Sequence, residues 1–171
     1  PYTTLFRSEV VRGEPIADSG GFVSVPLHAP ATGRIRDIDL KPTAKGPYTK
    51  SLVLEVYPGD SQQVRFSSPQ DIDRMEPGEI IKAVQATGLV GLGGAAFPTH
   101  VKLSPPKEHT VHTVLINGCE CEPFLTTDHR VMLEEGGDLV EGTRILMRAL
   151  GAERGIIGVE DNKLDAAEAL R

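Results

Sequence analysis

Two stretches of this sequence bring together residue types suited to holding a nucleotide or a flat ring. The first is Gly88-Leu-Val-Gly-Leu-Gly-Gly-Ala-Ala-Phe-Pro-Thr-His-Val-Lys-Leu103. Gly91, Gly93 and Gly94 remove side chains where a loop leaves a predicted helix, so backbone N–H groups there can approach a phosphate or a ring closely. Pro98 and Thr99 mark the start of a short helix whose N-terminus favours an anion, and Lys102 adds a full positive charge one turn on. The same glycine spacing also suits a tight loop that only packs a helix against a strand. The second stretch, Ile116-Asn117-Gly118-Cys119-Glu120-Cys121-Glu122-Pro123, follows the apolar run Val111–Ile116, which reads as a buried strand. Ligands of open α/β sheets gather beyond the carboxyl ends of strands, which is where Asn117, Glu120 and Glu122 are expected. Two acids and an amide there suit hydrogen bonds to ring nitrogens or ribose hydroxyls; solvated loop acids are the plainer alternative.

Other reactive side chains form no pattern. Cys119 and Cys121 are too close in sequence for a comfortable bridge and lack the four-ligand, CxxC-type spacing of structural zinc, so no metal site is assigned. An iron–sulfur cluster takes four thiolates, and the chain has two cysteines. His109 and His112 are three apart near a strand, where alternation sends them to opposite faces. Asp128 and Arg130 sit near a helix start as local caps and pairs. No catalytic acid, base or nucleophile is assigned.

The elements that must position the two stretches change period along the chain. From Val10 to about Phe66, short β-type runs alternate with turn residues such as Gly20-Gly21, Thr32-Gly33, Lys45-Gly46-Pro47 and Pro58-Gly59-Asp60. Beyond Phe66, Pro77 and Glu79–Val84 read as a helix ending before Gly88. Leu139, Leu146 and Leu150 fit one face of a second helix despite Gly142. Ile156–Val159 reads as another buried strand, with a further helix from about Lys163. Alternating strands and helices predict an α/β layer with parallel strands. The expected organisation is a β domain over residues 9–67 and an α/β domain over 68–171. Pro1–Ser8 resembles the translation of a sequencing adapter and is set apart from the fold. The other end runs out inside the last helix, as in a piece of a longer protein.

Composition narrows the function classes. Over 171 residues, 18 Lys and Arg against 24 Asp and Glu give a net charge of −6, with no basic cluster to mark a nucleic-acid face. No apolar run reaches the roughly 20 residues that span a bilayer.

Together, "GLGGAAFPTHVKL" and "INGCECEP…DHR" resemble RnfC, the peripheral NADH-binding subunit of Rnf electron-transport complexes, and more distantly the flavin-bearing NADH subunit of complex I. "HAPATGRI" and "GVEDNK" are similar to the same family, so the resemblance covers roughly Val10 to Arg171. It implies a small half-barrel like biotinyl and lipoyl carriers, a barrel-sandwich hybrid without the modified lysine, followed by a Rossmann-like α/β domain. It further implies FMN contacts at Gly91, Gly93, Gly94, Lys102, Asn117 and Glu120, and NADH contacts at Phe97 and Glu122. Leu92, Ala96 and Cys119 depart from the complex I pattern, which has arginine, glycine and aspartate there. By resemblance, hydride passes from NADH to FMN, and electrons leave through 4Fe–4S clusters outside these residues. The implied partners are the other Rnf subunits, and the implied place is the cytoplasmic face of the bacterial inner membrane, held peripherally. Two other readings stay open: a soluble RnfC-like reductase associated with cobalamin or proline reductase, and a docking module without catalysis.

Overall fold

Glycine at position 33 decides the geometry of the first part of the chain. A Cβ there would run into the Glu55 carbonyl and approach Val56 Cα at 3.0 Å, so only a residue without a side chain lets these two backbones pair. In the computed structural model, which describes residues 7–43, 46–64, 68–92, 95–106 and 108–171, Gly33 opens β4 (Gly33–Thr43), which pairs antiparallel with β5 (Gly46–Val56). On its other side β4 meets β1 (Glu9–Val10), giving the order β1-β4-β5, and Arg7 and Ser8 extend that pairing through backbone bonds to Ile35. A second antiparallel pair joins β2 (Pro15–Ala17) and β3 (Leu27–His28). Val10, Ile16, Ala29 and Ile35 form the core of this β unit, with Leu52 and Leu54 packed against them.

The all-β character expected from Val10 onward is thus observed, with the β4–β5 pairing closing at Thr43 opposite Gly46 and a turn at Pro58-Gly59. Past Ile35, β4 and β5 continue, among the described residues, as a two-stranded ribbon. Leu40 and Tyr48 are exposed on it, because two strands cannot cover both of their own faces. Phe66, where the period changes, lies outside the described residues.

The helix expected after Pro77 is α1 (Pro77–Ala86). Pro77 supplies the fixed φ of a first turn, and Glu79 accepts from the Glu76 N–H at 2.9 Å, one half of a capping box. Ile80 is buried, and the helix closes with Gly88 at φ 75°, where a Cβ would press on the Pro26 carbonyl and His28. The next helix, α2 (Thr99–Lys102), is one turn long.

The chain divides into two compact units, residues 1–70 with 84–101, and residues 71–83 with 102–171. In the second, β6 (Thr113–Asn117) and β7 (Arg154–Gly158) pair in parallel, Thr113 opposite Arg154 through Asn117 opposite Gly158. The crossover between them carries α3 (Thr127–Glu134) and α4 (Gly136–Leu150), and α5 (Leu164–Ala169) follows β7. Parallel strands require such a crossover, since no short turn can join them. Gly142 does not interrupt α4, which ends at Gly151 in the left-handed region at φ 65°. Gly155 lets α4 lie close on β7: a Cβ there would stand 2.8 Å from both Met147 Sδ and Thr143 Cγ2.

One expectation needs correction. Both strands were expected to be buried, yet Leu115 of β6 and Ile156 of β7 are exposed and Val114 alone among their residues is buried. Among the described residues the parallel sheet has two strands, which leaves much of the pair uncovered.

Candidate functional site

In the first unit the glycine-rich stretch is a loop pinched at its base. Val90 and Pro98 form an isolated antiparallel bridge, the Gly91 N–H donates to the Phe97 carbonyl at 2.9 Å, and Thr99 N–H donates to Leu89 at 3.0 Å. Gly93 and Gly94 lie outside the described residues. Leu92 at the loop is 94% exposed, and Phe97 is partly open to solvent. Ala96 takes φ 49°, the left-handed region that costs a residue with a Cβ about 1–2 kcal/mol. That is the position at which the complex I pattern has glycine, so the departure noted in the sequence is a backbone matter as well as one of bulk.

His100, which the sequence reading passed over, is 1% exposed and anchors α2 from below. Its Nε2 lies 2.7 Å from the Phe22 carbonyl, and its ring meets the Phe22 ring edge-on at 5.7 Å. Lys102 closes α2 with its side chain exposed. No hydrogen bond or ion pair commits its ammonium among the described residues, which leaves it available to an anion.

In the second unit the structure sets Asn117 at the carboxyl end of β6, with Glu120 and Glu122 in the loop that follows. Asn117 is the last ladder residue, exposed, and its Oδ1 accepts from Cys119 N–H at 3.1 Å, while its Nδ2 has no hydrogen-bond partner among the described residues. Gly118 N–H donates to the Gly158 carbonyl at 2.8 Å, extending the strand pairing by one bond. Cys119 and Cys121 are free thiols, the former 3.9 Å from the Gly158 carbonyl. Glu122 is exposed.

Glu120 is different, its side chain being 5% exposed. Its Oε1 accepts from Asp128 N–H at 2.8 Å, and its Oε2 from His129 N–H at 3.3 Å and Lys163 Nζ at 2.7 Å. A carboxylate on the first N–H groups of α3 satisfies donors the helix cannot pair itself and favours the positive end of its dipole. The Lys163 hydrogen bond, more than these amides, holds the Glu120 carboxyl below its ordinary range, while burial pushes the other way. Lys163 is raised in turn, first by Glu120 and then by Glu160, whose carboxylate is 2.5 Å from Nζ. Beside them His129 Nε2 lies 3.0 Å from Asp165, which is lowered chiefly by that contact. Arg130 pairs with Glu134, the local pairing expected near this helix start.

The residue that sequence reasoning passed over here is Lys163. It ends Gly158-Val-Glu-Asp-Asn-Lys163, the loop past the carboxyl end of β7, so the rule that singled out Asn117 after β6 pointed to it equally.

Comparison with known proteins matches residues 84–171 to the Nuo51 FMN-binding domain and residues 6–57 to the RnfC barrel sandwich hybrid domain. The chain is 42% identical to a component of the Na(+)-translocating ferredoxin:NAD(+) oxidoreductase complex of Acetobacterium woodii, over 94% of this chain and 36% of that protein. It is 37% identical to a component of the proton-translocating ferredoxin:NAD(+) oxidoreductase complex of Clostridium ljungdahlii, over 95% of this chain and 36% of the relative. With a component of the ion-translocating oxidoreductase complex of Erwinia tasmaniensis, identity is 38% over 95% of this chain and 20% of that one. The chain therefore spans about a third or less of the length of these relatives.

The donor set suits FMN in kind. A phosphate asks for a cation, which the uncommitted Lys102 ammonium supplies, and a flavin ring edge asks for an amide such as that of Asn117. With a match to the FMN-binding domain over 84–171 preceded by the RnfC half-barrel over 6–57, this chain belongs to the RnfC family.

Proposed function

We propose that this chain forms the nucleotide-binding part of a peripheral subunit of an ion-translocating Rnf-type electron-transport complex, taking electrons between NADH and FMN. One observation carries the reading: every residue assigned to FMN or NADH, from Gly91 to Glu122, falls within the stretch that matches the Nuo51 FMN-binding domain. When bound, FMN supplies the exchange between two-electron hydride chemistry and one-electron transfer that no side chain here can perform.

The chain's own part is to bind and orient. Gly91, Gly93 and Gly94 give backbone approach, Lys102 a positive charge for the phosphate, and Asn117 an amide donor. Glu120, its carboxylate held by Lys163 and the start of α3, belongs to the flavin set through the loop it anchors. Phe97 and Glu122, both open to solvent, serve NADH. Residues 68–171 form the Rossmann-like nucleotide domain, of which β6, β7 and their crossover are part, and residues 9–67 the unmodified half-barrel that docks to other Rnf subunits. With two cysteines in the chain, 4Fe–4S clusters take their ligands from elsewhere. The place is the cytoplasmic face of the inner membrane, held by partners; no helix among the described residues is long and apolar enough to cross a membrane.

The test is flavin and NADH titration of the complete protein. Lys102→Ala should weaken FMN binding about tenfold, the scale of one charge-assisted hydrogen bond. Glu122→Ala should raise the NADH concentration needed for half-reduction while leaving FMN affinity alone. Wild-type values in both variants would sink the assignment.

A further inference from the structure

The two loops that leave the carboxyl ends of β6 and β7 are joined by a part-buried ion pair. Backbone pairing ends with Gly118 N–H on the Gly158 carbonyl. Beyond that bond Cys119 Sγ lies 3.9 Å from the same carbonyl, and the charged tie between the loops is Glu120 to Lys163, 2.7 Å apart with side chains 5% and 13% exposed. Three donors already converge on the Glu120 carboxylate, two from the start of α3 and one from Lys163. Lys163 is itself gripped from a second side by Glu160. At 5% exposure the Glu120 carboxylate is largely shielded from solvent, so removing Lys163 leaves a poorly solvated charge whose easiest escape is to carry its loop outward. That loop is Asn117–Glu122.

We propose that Lys163 is a positioning residue for nucleotide binding: through Glu120 it fixes the Asn117–Glu122 loop, and so the placement of the Asn117 amide and the Glu122 carboxylate. The assignment rests on the reading of that loop as a flavin and NADH contact. Lys163 itself touches no ligand, and its whole influence passes through Glu120. Its effect must therefore vanish when Glu120 no longer carries a charge to be held.

The experiment is a double-variant cycle in the complete protein, Lys163→Met, Glu120→Gln and both together, read by FMN fluorescence titration and by hydrogen exchange at the Gly118–Glu122 amides. Lys163→Met alone should weaken FMN binding about tenfold and speed exchange in the loop about as much. On the Glu120→Gln background the same change should alter each by less than about threefold, since a neutral amide needs no cation. An equal tenfold loss on both backgrounds would overturn the proposal, as would unchanged affinity and exchange in Lys163→Met. If Lys163→Met does not fold, Lys163→Gln carries the same expectation. If the wild-type protein binds no FMN, the functional reading fails by itself, and the exchange rates alone then decide whether Lys163 holds the loop.

Discussion

Gly118 offers a measurable test of how tightly the candidate loop is built. Its φ is not in the left-handed region, so alanine would meet no backbone strain, and any cost must come from contact. A Cβ there would stand 2.9 Å from the Gly158 carbonyl oxygen and 3.0 Å from Met132 Sδ, where ordinary contacts begin at 3.4 Å. Each neighbour must therefore give by about 0.4–0.5 Å. Neither can do so freely: the carbonyl accepts the Gly118 N–H at 2.8 Å, and Met132 is buried at 2% exposure. Overpacking of this kind costs about 1–3 kcal/mol, and weakening the shared hydrogen bond adds up to about 1 kcal/mol. We expect Gly118→Ala to lose about 2–3 kcal/mol. At about 2–4 °C per kcal/mol for a chain of this size, Tm should fall by about 4–12 °C in differential scanning calorimetry. A Tm equal to or above that of the wild type would show that the two loops are not packed as described.

Gly142 provides the opposite case: it lies inside α4 with nothing within 4 Å of an added Cβ, so Gly142→Ala should stabilise the protein by about 0.5–1 kcal/mol in urea titration. A loss of stability would mean that this face of α4 is covered. Acid stability provides a further check. Glu120 and Asp165 are held below their ordinary values of 4.5 and 3.8, so their contributions are complete above those values and lost as pH falls through the lower folded ones. Lys163 is raised above 10.5, so its share is complete below that value and lost only in stronger alkali. Replacing both acids, Glu120→Gln with Asp165→Asn, should therefore flatten the fall in stability below about pH 4.5. An unchanged acid limb would contradict the pairing of these groups.

The parts of the fold legible in the sequence are those set by local chemistry. Pro77 and Glu79 marked the start of α1 because a fixed φ and a back-reaching carboxylate act within one turn. The leucines marked α4 as a helix, although they are half-buried and its buried residues are Thr143 and Ala149, and the density of turn residues marked the β unit. Strand limits were less legible, since they follow register more than apolarity. The run Val111–Ile116 suggested a strand that instead occupies Thr113–Asn117, and Ile156–Val159 one that occupies Arg154–Gly158, each pairing the other. In the candidate site, the loop past β6 was legible from its acids and amide. Lys163 was not singled out, because its meaning depends on Glu120, 43 residues away. His100 was passed over for the same reason, its partner Phe22 being 78 residues distant.

The parallel pairing of β6 and β7 also orders events as the chain emerges from the ribosome. The β4–β5 pairing closes at Thr43 opposite Gly46, so those strands can zip within microseconds of being made. Thr113, by contrast, finds its partner 41 residues later at Arg154. At about 5–20 residues per second, β6 is exposed without a mate for about 2–8 s of synthesis. During that interval its apolar residues Val114, Leu115 and Ile116 are open to any strand edge nearby. Nascent chains stalled between these two strands should therefore be the form of this protein most prone to aggregate and most in need of a chaperone.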